Sequence, residues 1–140
     1  MIRKTILTSI FKRKGGEGAN TKLIKEHFNL FSKINYNIYE NESPILLYFV
    51  YNELWILFTD ARIVINENNQ QINVCYDELI DVKPALAEEI KMGNKASDFT
   101  KLLLNLNNKS SIVIDVEKGS PYKGIYQMLH YISSSNKHEK

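Results

Sequence analysis

The run Leu54-Trp55-Ile56-Leu57-Phe58-Thr59-Asp60-Ala61-Arg62-Ile63-Val64-Ile65 constrains the fold more than any other part of this chain. Two apolar stretches rich in β-branched and aromatic residues flank a Thr-Asp pair, and each is too short for an ordinary helix. They predict two strands, 53–59 and 61–67, folded back at Thr59-Asp60. The same texture recurs from Pro44 onward and predicts seven strands in all, with the others at 45–51, 71–76, 79–85, 100–106 and 111–117. Most connections are hairpin-sized and rich in Asn, Asp, Glu and Gly, so neighbouring strands should pair antiparallel.

Helical spacing is confined to the two ends. Asn20 or Thr21 can cap a helix over 20–34 in which Leu23, Ile24, Phe28, Phe31 and Ile34 recur at three- and four-residue intervals. Ser120 followed by Pro121 signals a second helix start, with Ile125, Met128, Leu129 and Ile132 on one face and an end near Ser133. Residues 134–140 lack apolar anchors and are expected to fray. The strand at 45–51 is apolar at every position, so its outer face needs a cover, either the helix at 20–34 or a homo-oligomer contact.

Charge divides the chain unevenly. Arg3, Lys4, Lys12, Arg13 and Lys14 face no acid before Gly15-Gly16-Glu17-Gly18, although the whole chain carries only +2. Residues 15–140 are therefore net acidic, which argues against nucleic-acid binding by the folded part. The domain organisation expected is a basic arm and glycine linker over 1–19, then one domain over 20–140; a chain of 140 residues suits a single core. One cysteine, Cys75, makes no internal disulfide and no zinc motif, which reads as a cytoplasmic protein. The longest apolar run, Ile45 to Tyr51, is far shorter than the ~20 residues that span a bilayer. The opening segment has no small-residue cleavage site after its apolar part, so it does not read as a signal peptide.

Three segments carry a family resemblance. Trp55-Ile56-Leu57-Phe58-Thr59-Asp60-Ala61-Arg62-Ile63 resembles the "hydrophobic-hydrophobic-Thr-Asp/Asn-x-Arg-hydrophobic" signature of bacterial pleckstrin-homology-like (PH-like) domains. Val74-Cys75-Tyr76-Asp77-Glu78-Leu79-Ile80-Asp81-Val82 is similar to that group's "hydrophobic-x-Tyr-x-x-Ile-x-x-Val" passage between two sheets. Phe99 to Leu104, then Ile112-Val113-Ile114 and the closing helix, resemble its last hairpin and capping helix. The resemblance implies a mainly β, α+β fold: a partly open antiparallel β-barrel of about seven strands with a C-terminal capping helix, to which the helix at 20–34 is an addition. It also implies a scaffold for lipid headgroups, peptides or proteins and not characteristically for catalysis. Phosphoinositide-binding members of the wider superfamily use basic residues around the first hairpin. Here that turn is Tyr51-Asn52-Glu53, and neither flanking strand has a Lys or Arg, so a phosphorylated headgroup would be repelled.

Local chemistry adds no catalytic constellation. Thr59, Asp60 and Arg62 read as a structural motif, with Arg62 tethering a carboxylate or carbonyl, Asp60 lying two residues away, and Asp60 itself forming the turn. His27, His130 and His138 share no metal-ligand spacing, and Cys75 has no adjacent base. Glu88, Glu89 and Asp98 read as solvated loop charges. Tyr122 and Tyr126, one turn apart on the closing helix, and Tyr51 are the candidate partner-binding residues. A helix drawn through 2–14 would place Ile2, Ile6, Ile10 and partly Leu7 on one side and Arg3, Lys4, Lys12, Arg13 and Lys14 elsewhere, which suits an anionic membrane. The resulting expectation is a non-enzymatic intracellular interaction module for a protein or peptide partner, with no cofactor and no metal. The alternative is peripheral membrane association through residues 1–14.

Overall fold

The structure is a computed structural model and describes residues 3–34 and 40–138. It is an α+β fold of two antiparallel sheets and a long C-terminal helix. The first sheet runs in the order β1 (Thr21–Leu23), β2 (Pro44–Tyr51), β3 (Leu54–Thr59), β4 (Arg62–Glu67), β5 (Gln70–Cys75). A single 3-10 turn, Tyr76–Glu78, leads into the second sheet of β6 (Leu79–Pro84), β7 (Lys101–Leu106) and β8 (Ser111–Asp115). The two sheets do not pair with each other, so no closed barrel forms.

The central hairpin follows the sequence pattern. Ile56 faces Ile65, Leu57 faces Val64 and Phe58 faces Ile63 across β3 and β4. Successive residues of a strand point to opposite faces, and here both faces are covered, which explains the unbroken apolar runs. Ile56, Phe58, Ile63 and Leu46 enter the main core between the sheets, with Leu79, Val82, Leu102, Leu104 and Ile114 from the second sheet. Leu47, Trp55, Leu57 and Val64 form a second apolar layer on the outer face, covered by Ile24, Leu30, Phe31 and Ile34 of the same chain.

The covering segment is not the helix expected over 20–34. Thr21–Leu23 pairs with β2, Leu23 opposite Leu46, and only Phe28–Phe31 is helical (α2). Leu23 and Ile24 enter different apolar layers, as consecutive residues of an extended chain do. Strand pairing and the alternation of faces overrode a spacing that suits a helix equally well.

The N-terminal arm is also folded. Lys4–Lys14 forms α1, and its fully buried residues are Leu7 and Phe11, with Ile6 and Ile10 only half-buried, so the apolar face is rotated from the one expected through Ile6 and Ile10; Ile2, also part of that expectation, lies outside the described residues. Its last turn, Lys12-Arg13-Lys14, suits the negative end of the helix dipole. α1 packs on α4 (Ser120–His138) through two glycines. A Cβ on Gly15 would lie 2.0 Å from the Ser120 carbonyl oxygen, and one on Gly124 would lie 2.7 Å from Phe11 Cδ1. The glycine segment is thus a close helix contact where a flexible linker was expected.

α4 supplies Ile125, Met128, Leu129 and Ile132 to the main core and lies along β6. It continues past Ser133, where fraying was expected. Asn136 donates its amide to the carbonyls of Tyr76 and Leu79, which fastens the last turns to the corner between the sheets. A further short helix, α3 (Leu86–Lys91), occupies the long β6–β7 connection. Among the described residues no helix is long and apolar enough to cross a membrane.

Candidate functional site

The Thr59-Asp60-Ala61-Arg62 motif forms a buried polar knot. The Thr59 hydroxyl donates to Glu42 Oε2 at 2.9 Å and accepts from the backbone N–H groups of Ala61 and Arg62. Arg62 Nε and Nη2 fork onto the two Glu42 oxygens at 2.7 and 3.0 Å, and Nη1 donates to Asn73 Oδ1. Asp60 does not receive the guanidinium; it accepts from Ser43 N–H at 3.0 Å, fixing the chain before β2. Tyr76 donates to the Thr59 carbonyl, and burial, then Asp60 and Glu42, push its phenol well above the ordinary range. No sequence signal singled out Glu42, which lies in a polar stretch upstream of Pro44. The knot has no solvent access for chemistry: Glu42, Thr59, Asp60 and Arg62 are all buried.

The three candidate tyrosines are dispersed. Tyr122 is buried, donates to the Lys101 carbonyl at 3.0 Å, and stacks edge-on against Phe99. Burial, with Glu89 nearby, pushes its phenol up to about 12. It packs the interior and does not line the partner edge expected from the helix pattern. Tyr126 is half-buried beside His130, and Tyr51 is half-exposed on the β2–β3 turn. The thiol of Cys75 is pushed up by burial and by Glu78, the reverse of an activated nucleophile. Glu89 is not a solvated loop charge: it is fully buried and accepts from Thr100 N–H and the Asn94 amide.

The cations of the arm gather on a surface. Arg3, Lys4, Lys12, Arg13 and Lys14 are all exposed, because Leu7 and Phe11 turn the opposite side of α1 into the core. A groove of about 590 Å³ on the outer side of α1 is lined by Lys4, Thr5, Thr8, Lys12, Arg13 and Lys25. Among the described residues no ion pair engages Lys4, Arg13 or Lys25, whereas Lys12 reaches Glu26 at 3.2 Å. A second groove of about 650 Å³ shares Lys25 and continues past Lys22 and His27 to an apolar floor of Leu30 and Phe49. No protein-family model, curated protein or solved structure matches this chain.

Glu17, Glu26 and His27 meet beside the second groove, which Glu26 and His27 line, each offering one ligand atom within 4.8 Å of the others. Sequence spacing did not reveal this group, because Glu17 comes from the glycine segment and the other two from beyond β1. Its charges are already answered inside the protein. Glu17 accepts from Leu23 N–H at 2.7 Å and lies 3.3 Å from His27 Nε2, and the Lys12 ammonium sits on Glu26. The arrangement orders the loop and leaves a predominantly basic track beside it.

Proposed function

We propose that this protein is a non-enzymatic interaction module of PH-like fold that holds an acidic peptide segment of a partner protein along the adjoining grooves of α1 and the β1–α2 region. The observation that carries the reading is that the two grooves share Lys25, with Lys4, Lys12 and Arg13 on one side and Lys22 on the other, where the one acid, Glu26, is answered by Lys12. Carboxylates would meet the lysines and Arg13, hydroxyls of Thr5 and Thr8 would accept or donate alongside, and an apolar side chain would rest on Leu30 and Phe49. The concave track suits an extended chain better than a flat surface. Leu7 and Phe11 of α1 are committed to the core with α4, which leaves the half-buried Ile6 and Ile10 as the apolar residues of the described arm that could enter a membrane.

The test is fluorescence anisotropy with a labelled peptide of mixed Glu, Asp and Phe residues and a Lys-rich control of equal length. Binding of the acidic peptide is expected, weakening with added salt and falling about tenfold in Lys25→Glu or Arg13→Glu. Equal affinity for the control, or no effect of either substitution, would overturn the reading.

A further inference from the structure

The helix α3 is inverted relative to an ordinary surface helix. Its one fully buried side chain is a carboxylate, Glu89, while Leu86 is 55%, Ile90 74% and, just beyond, Met92 64% exposed. A surface helix normally turns such residues inward. Here they cannot turn in, because Glu89 holds the inner side through Thr100 N–H at 3.0 Å and Asn94 Nδ2 at 3.2 Å. Rotating the helix would strip a buried carboxylate of its donors. Gly93, at φ +71°, closes the helix and its N–H reaches the Ile90 carbonyl, so the apolar tip is held in a defined shape.

Three exposed lysines flank the tip along the chain. Lys83, Lys91 and Lys95 are exposed, whereas Glu88 is half-buried and Asp98 is paired with Lys118 at 3.8 Å. We infer that α3 and the turn after it insert Leu86, Ile90 and Met92 into the interface of a lipid bilayer whose anionic headgroups are met by Lys83, Lys91 and Lys95. Three projecting side chains offer too little area for a stable protein interface, which takes roughly 800 Å² from each partner. A bilayer needs no matching surface, and combines apolar insertion with attraction of nearby lysines. This contact is separate from the acidic-peptide track and does not depend on it.

The test uses the full chain with Ile90→Trp as a reporter, the native Trp55 being buried and therefore a constant background. Its emission is expected to shift to the blue, and to be quenched by brominated acyl chains, with vesicles of phosphatidylcholine plus phosphatidylserine. In sedimentation with the same vesicles, Ile90→Asp combined with Met92→Asp is expected to reduce the bound fraction about tenfold, while Ile72→Asp, at an exposed apolar residue of β5, leaves it nearly unchanged. An unshifted tryptophan, equal binding to phosphatidylcholine alone, or full binding by the double Asp variant overturns the inference. So does a solution dimer that the double variant converts to monomer, which would make the tip a contact between copies of this chain.

Discussion

Glu117 reaches across from the end of β8 to Thr21, accepting its hydroxyl at 2.8 Å, and so fastens the free edge of the five-stranded sheet to the second sheet. The same carboxylate accepts the backbone N–H groups of Ala19 and Asn20 at 2.9 and 3.0 Å. One side chain thus does across this seam what a strand ladder would do in a closed barrel. Glu117→Ala should lower unfolding stability by about 2 kcal/mol, since bonds to a charged acceptor contribute more than neutral ones. The urea midpoint should fall at an unchanged slope.

The Arg62–Glu42 pair should behave as buried pairs do when one member is lost. Glu42→Ala leaves a guanidinium without its carboxylate inside the protein and should cost about 3–5 kcal/mol. The double variant Glu42→Leu with Arg62→Met should recover most of that loss, because no uncompensated charge remains. A double-mutant cycle by urea denaturation checks this, and additive losses would contradict it.

Gly124→Ala separates helix propensity from packing. Alanine is better than glycine by about 1 kcal/mol in an exposed helix. At this position its Cβ would meet Phe11 Cδ1 at 2.7 Å and the Phe11 carbonyl oxygen at 2.9 Å. The expected result is a net loss of about 1–3 kcal/mol from overpacking. Thermal denaturation of the variant would show an unchanged or higher midpoint if propensity prevailed.

Alkaline titration should expose the buried tyrosines. Tyr122 has its phenol raised from 10.0 to about 12, and Tyr76 is raised as well. Below pH 10 both states keep the proton and stability is unaffected by these groups. Above it the unfolded chain loses protons that the folded one retains, so stability should fall from about pH 10 toward 12. Tyr122→Phe should flatten that decline while lowering the plateau, because its bond to the Lys101 carbonyl is lost.

Much of the sheet was legible because its signals are local. The apolar pairs of β3 and β4, the Asn68-Asn69 turn with both residues at positive φ, and the Ser120-Pro121 helix start each lie within a few residues. What was hidden depends on distant partners. The strand at Thr21–Leu23 is three residues long and is held by β2 and Glu117; α1 folds because α4 receives Leu7 and Phe11. The knot was half-legible: Thr59 and Arg62 stood out, but Glu42 did not. The basic residues of the arm were visible in composition, whereas the groove they share with Lys25 exists only once α1 is docked.

The pairing of α1 with α4 also orders events during synthesis. Leu7 and Phe11 are made first, yet the helix that shelters them follows more than a hundred residues later. A nascent chain must therefore carry an uncovered apolar stripe on the ribosome until α4 emerges. Chains stopped short of Ser120 should be sticky, readily captured by chaperones, and prone to proteolysis.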